Sequence, residues 1–182
     1  FFDLTGSYSG EIDNPQISIS GEGMNLSYAN EIIPYTKFDL DYFEGQIKVD
    51  NIMSGIGNDM AGIIETKGIL QLATHEEIHL DLVASLTDVP ISYANKLLDE
   101  KIAKLDGGLD AEFTIFGTYQ DPEIKGNGVL KDAVVGVTYL GTEYFINGRF
   151  NILPDGIELN GIQVRDQKGG EAMLVGTALH EK

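Results

Sequence analysis

Apolar and polar residues alternate with a period of two along most of the chain. Phe38, Leu40 and Tyr42 point one way, and Lys37, Asp39 and Asp41 the other. That pattern predicts a strand with one covered and one wet face. Phe2 and Leu4 open a short strand, and Ile17 and Ile19 alternate with Ser18 and Ser20. Beyond Glu44-Gly45, Ile47 and Val49 resume against Gln46, Lys48 and Asp50. Ser54 to Asn58 reads as a loop, and residues 64–72 and 78–86 as hairpin arms around a polar tip at Thr74-His75-Glu76-Glu77. Later, Leu109, Ala111, Phe113 and Ile115 alternate with Asp110, Glu112 and Thr114. Further strands are predicted over 124–130, 134–139, 144–152, 156–164 and 172–179. Turns fall at Lys131-Asp132, Leu140-Gly141, Pro154-Asp155-Gly156 and Lys168-Gly169-Gly170. Such short connections favour an antiparallel meander.

One segment departs from this period. Ile91, Ala94, Leu97, Leu98, Ile102 and Leu105 recur at three-and-four spacing, which predicts an amphipathic helix over 91–105. Asp88 and Pro90 suit its start, and Gly107-Gly108 its stop. It separates two quasi-repeat halves, 1–88 and 106–182.

The halves share a phrase. Gly6-Ser7-Tyr8, Asn14-Pro15-Gln16-Ile17 and Gly21-Glu22-Gly23 match Gly117-Thr118-Tyr119, Asp121-Pro122-Glu123-Ile124 and Gly126-Asn127-Gly128. The matched glycines are offset by 105 (126 − 21 and 128 − 23). Self-similarity at a fixed spacing signals a repeating architecture.

The 182 residues suffice for one β-rich module with a core. The 22 glycines and frequent β-branched and aromatic residues favour strands. Cys is absent, so there is no disulfide and no thiolate metal site. A net charge of −17, with only 12 Lys and Arg, argues against nucleic acid and against an anionic membrane surface. No apolar run approaches the roughly 20 residues of a membrane helix. The opening Phe1-Phe2-Asp3 is read as the start of a piece excised from a longer protein.

Several motifs suggest chemistry. His75-Glu76-Glu77-Ile78-His79 fits the H-E-x-x-H pattern of zinc hydrolases, which needs a helix to converge both imidazoles. Its flanks are strand-like, so a polar turn is the expected reading. His180 is expected to lie exposed at a strand end. Gly55-Ile56-Gly57 and Gly126-Asn127-Gly128 lack the remainder of a phosphate loop. Asp39, Asp41 and Glu44 miss calcium-loop spacing and read as the wet side of a strand. No catalytic residue, metal ligand or cofactor is assigned.

The run from Val89 to His180 resembles the C-terminal region of TamB-like proteins, the inner-membrane component of the translocation and assembly module in the AsmA-like superfamily. The residues that carry this form an ordered series: Leu105-Asp106-Gly107-Gly108-Leu109-Asp110-Ala111, Ile115-Phe116-Gly117-Thr118, Asp121-Pro122-Glu123-Ile124-Lys125-Gly126 and Leu130-Lys131-Asp132-Ala133. Tyr139-Leu140-Gly141-Thr142-Glu143-Tyr144, Leu153-Pro154-Asp155-Gly156 and Val164-Arg165-Asp166 follow. The resemblance implies an elongated antiparallel sheet curled into a taco-like groove with an apolar inner face. It implies a periplasmic location in a parent anchored to the inner membrane. It also implies a non-enzymatic part in phospholipid transport to the outer membrane, or in outer-membrane protein assembly. Implied partners are phospholipid acyl chains and, through the parent, an outer-membrane barrel protein. Phe113, Ile115, Tyr144, Ile146, Phe150, Ile157, Leu159, Ile162 and Val164 are the candidate groove lining. The alternatives are a closed β-sandwich or barrel used as an adhesion module and, further off, the zinc hydrolase.

Overall fold

A computed structural model describes residues 1–28, 31–56, 62–72, 77–97 and 103–179. The protein is mainly β, with 85% of it in strands. The strands are β1 (Phe2–Glu11), β2 (Asn14–Tyr28), β3 (Glu31–Phe43), β4 (Gln46–Ile56), β5 (Gly62–Leu72), β6 (Ile78–Pro90), β7 (Ala103–Thr118), β8 (Pro122–Val137), β9 (Thr142–Leu153), β10 (Gly156–Asp166) and β11 (Glu171–Leu179). They form one open antiparallel sheet in sequence order, so the closed sandwich or barrel is not the fold. The accessible surface is 12175 Å². A globular protein of this mass exposes about 8,600 Å². The core is correspondingly thin: among the described residues the buried apolar ones are Ile56, Ala84, Val89, Ile91, Ala133 and Ile162.

The chain divides into two compact units, Phe1–Ser85 with Phe113–Ile124, and Leu86–Glu112 with Lys125–Lys182. In the first, register sorts the side chains by face. Tyr8 pairs with Ile17 and Ile17 with Tyr42; Leu40 pairs with Val49 and Ile47 with Leu70. Directly paired residues lie on one face of a sheet, so Ile17, Ile19, Phe38, Leu40, Tyr42, Ile47, Val49 and Leu70 share the apolar one. On the other face, Ser18 donates to Asp41 at 2.6 Å and Ser20 to Asp39 at 2.5 Å, and Lys67 stands 4.0 Å from Asp50. Glu44 and Gly45 both have positive φ (50° and 76°), the geometry of a two-residue primed hairpin turn. Instead of a loop from Ser54, β4 runs to Ile56 with a register shift at Gly55; residues 57 and 58 lie outside the described residues.

The repeated phrase realigns. Gly10 (φ 90°), not Gly6, is the counterpart of Gly117 (φ 94°). An added Cβ would approach the Asn14 carbonyl oxygen at Gly10 and the Asp121 carbonyl oxygen at Gly117. Gly-x-x-x-Asx-Pro-x-Ile then recurs at an offset of 107 (117 − 10, 122 − 15), and in the repeat Gly21 corresponds to Gly128 rather than Gly126. The phenyl rings of Phe38 and Phe150 lie over these two glycines from the neighbouring strand. Bare backbone in a strand is shielded in this way by an aromatic neighbour.

In the second unit, two sequence expectations are overturned. The described part of 91–105 does not form the expected amphipathic helix, and residues 98–102 lie outside the described residues. A 3-10 turn covers Ile91–Leu97, and Leu105 already belongs to β7. The Asn95 carboxamide explains the boundary. Its Oδ1 accepts from the Leu105 N–H at 2.6 Å, and its Nδ2 donates to the Leu105 carbonyl at 2.9 Å. A side chain that satisfies both backbone groups of a residue ten positions on competes directly with helix. Gly107 is no helix stop but a strand residue with φ 108°, where a Cβ would lie 2.6 Å from the Ala133 Cα.

Lys131-Asp132 is a bulge, not a turn, and β8 runs through it. Asp132 has φ 45°, and its N–H donates to Asn147 Oδ1 at 2.7 Å. The extra residue lets Leu130 and Ala133, three apart, reach the same face.

Candidate functional site

Register brings seven of the nine candidate lining residues together. Val164 pairs with Ile146, Leu159 with Phe150, Ile157 with Ile152, and Asp166 with Tyr144. Ile162 pairs with Leu174. Tyr144, Ile146, Phe150, Ile157, Leu159, Ile162 and Val164 therefore occupy one face of β9–β10. β8 adds Leu130, Ala133 and Val135 to it, and β11 adds Leu174. The sequence reading missed those four: the bulge hides the parity of Ala133 and Val135. Ile162 (3% exposed) and Ala133 (0%) sit deepest, and Ile157 is open at 43%. Phe113 and Ile115 lie two apart in β7, so they share a face; they belong to the first unit.

The opposite face is polar on β9 and β10. Asn151 donates to Glu158 at 2.6 Å across the pair, and Arg165 stands 3.3 Å from Glu171. A depression of about 770 Å³ opens mainly on this face, lined by Phe145, Asn147, Gln163, Arg165, Glu171 and Met173, with Val164 and Ala172 also in its lining. Most of the lining thus lies behind the apolar face.

An ion cluster braces the second unit. Lys131 Nζ lies 2.5 Å from Asp110 and 2.7 Å from Asp88, and the Asp88 N–H donates to Asp110 at 2.9 Å. The Asp88 N–H, then Lys131, holds the Asp110 carboxyl below its ordinary 3.8. Asp110, then Asp88, holds the Lys131 ammonium above its ordinary 10.5. The Asp110 contribution is therefore complete above about pH 3.8 and disappears as pH falls through the depressed folded value. The Lys131 contribution is complete below 10.5 and disappears as pH rises through the elevated one. All three side chains are more than a third exposed, so the effect is small. Lys131→Met should lower the urea midpoint slightly at neutral pH, and the gap to the parent should close as pH falls through the depressed value of Asp110. A gap that persists at acid pH would assign the loss to packing of the lysine stem.

Among the described residues no three His, Asp or Glu side chains converge as metal ligands. His79 lies in β6 with its imidazole 3.6 Å from Glu77, not on a helix. His75, Glu76 and His180 lie outside the described residues. Asp39 and Asp41 are engaged by serine hydroxyls, on the wet face the alternation predicted. No helix among the described residues is long and apolar enough to cross a membrane. No family model, curated protein or solved structure matches the chain.

Proposed function

We propose that this chain is a non-enzymatic module that carries acyl chains of phospholipid on the apolar face of its sheet. The supporting observation is that face itself. It is apolar across β8–β11, and no second sheet exists among the described residues to cover it. A sheet with one apolar face needs a second layer, and hydrocarbon supplies one without side-chain chemistry. Covering about ten methylenes gains roughly 8 kcal/mol before the cost of immobilising the chain. The TamB-like series in the sequence gives this surface a setting. The parent is an inner-membrane-anchored protein in the periplasm, moving phospholipid toward the outer membrane or helping to assemble its proteins, with an outer-membrane barrel protein at its far end.

The test is native mass spectrometry and solvent extraction of the purified chain. Phospholipid in stoichiometric amount is the expected result. A preparation that is repeatedly lipid-free, and that takes up no fluorescent fatty acid, overturns the reading.

A further inference from the structure

One large apolar side chain interrupts the wet face of β9. Along that face β9 presents Asn147, Arg149 and Asn151, and β10 presents Arg165, Gln163, Asn160 and Glu158. Phe145 lies in the same row and is 43% exposed, although β9 is an interior strand between β8 and β10. A ring so placed gains little from burial. Phe145 lines the depression of about 770 Å³, a volume within the roughly 300–1,000 Å³ of small-molecule sites. Bulges flank β9 on both sides, in β8 between Leu130 and Ala133 and in β10 between Asn160 and Gln163. Bulges re-aim side chains and recur beside active sites. Here the β8 bulge brings Asp132 into the lining and fixes Asn147. The Asp132 N–H donates to Asn147 Oδ1 at 2.7 Å, and Asn147 Nδ2 lies 3.5 Å from Asp132 Oδ1. Arg165 is held through its Nε, 3.3 Å from Glu171, so its terminal nitrogens remain as donors.

We propose that this depression binds a saccharide, a short neutral oligosaccharide with one ring stacked on Phe145. The lining favours that class. A sugar ring offers polarised C–H groups to the negative face of an aromatic ring. Its hydroxyls both donate and accept. Asp132 accepts, Arg165 donates, and Asn147 and Gln163 do both. Charge argues against simpler ligands. Two carboxylates stand against one guanidinium that is already paired, so an anionic ligand meets net repulsion. A cationic amine meets the guanidinium. A polyol brings no charge to desolvate and can use every one of these groups. The acyl-carrying face is the opposite one, and sugar binding does not depend on the lipid.

The test is a panel of neutral di- and trisaccharides of glucose, galactose and N-acetylhexosamines, titrated into the isotope-labelled chain and followed by amide NMR. At least one should shift the amides of Phe145, Asn147, Gln163 and Arg165 at millimolar concentration and leave those of β3 unmoved. Phe145→Ala should weaken that binding about threefold to tenfold through the lost ring contact. Arg165→Ala should weaken it about tenfold or more, because a charged donor is lost. Arg149→Ala removes the same charge from the same face outside the depression and should leave the affinity unchanged. No shift of these amides by any sugar of the panel overturns the proposal. So does a larger shift with inorganic phosphate or ethylammonium than with every sugar, which would report a charge site. Equal losses for Arg149→Ala and Arg165→Ala overturn it too. All three substituted side chains are exposed, so the β circular-dichroism signal should match the parent's. If a variant unfolds, the comparison of sugars with the charged probes on the parent still decides.

Discussion

Gly68→Ala should destabilise the protein far more than Gly176→Ala, although the two glycines have nearly the same backbone conformation. Gly68 has φ 149° and Gly176 φ 153°, both outside the range that L side chains readily adopt. Each substitution therefore incurs a similar conformational cost of about 1–3 kcal/mol. The surroundings differ. At Gly68 an added Cβ would collide with the Asp81 carbonyl oxygen and lie 2.8 Å from the Leu82 Cα. Both are backbone atoms of β6, which cannot swing aside as a side chain can. At Gly176 the Cβ would meet nothing within 4 Å. Overpacking against fixed backbone adds about 1–3 kcal/mol, so Gly68→Ala should lose the larger share of stability in urea titrations followed by circular dichroism. Equal losses would mean that the strands separate freely at this point and that the close approach of β5 to β6 contributes nothing.

The period-two alternation carried the fold class and most of the face assignments. Phe38, Leu40 and Tyr42 fall on one face, and so do seven residues from Tyr144 to Val164, because strand parity is local and each pair's register preserves it. What stayed hidden depends on contacts distant in sequence. The bulge at Lys131-Asp132 is fixed by Asn147, fifteen residues on. The end of the 3-10 turn at Leu97 is followed by a strand that Asn95 helps to start by holding Leu105. The three-and-four spacing in 91–105 begins in the turn Ile91–Leu97 and ends at Leu105 of β7, so it does not belong to one element. The repeat could be detected from glycines and prolines, but its alignment required φ. Gly10 and Gly117 match because both need a positive value, a property their neighbours in sequence do not reveal. The depression between Phe145 and Met173 had no signal, since residues from four strands build it.

Val164→Glu should abolish acyl binding, whereas Gln163→Glu should leave it nearly unchanged. The two positions are adjacent in β10 and receive the same added charge, but they face opposite sides of the sheet. Val164 pairs with Ile146 on the apolar face, and Gln163 with Asn147 on the polar one. A carboxylate at Val164 would lie under any hydrocarbon on that face, without a counter-charge among its paired neighbours. Removing it from water costs several kcal/mol even after relaxation, and each 1.4 kcal/mol is tenfold in affinity. Fluorescent fatty-acid titration should therefore show at least roughly a hundredfold weaker binding for Val164→Glu, and less than about twofold for Gln163→Glu. Val164 is half-buried, so Val164→Gln serves as a neutral substitute should the charged variant fold poorly; it should still weaken binding. General repulsion by an acidic protein would weaken both Glu variants alike. Binding in the depression, which both Gln163 and Val164 line, would make Gln163→Glu weaken binding as well. A loss at Val164→Glu with none at Gln163→Glu is the outcome that an acyl chain on the apolar face requires.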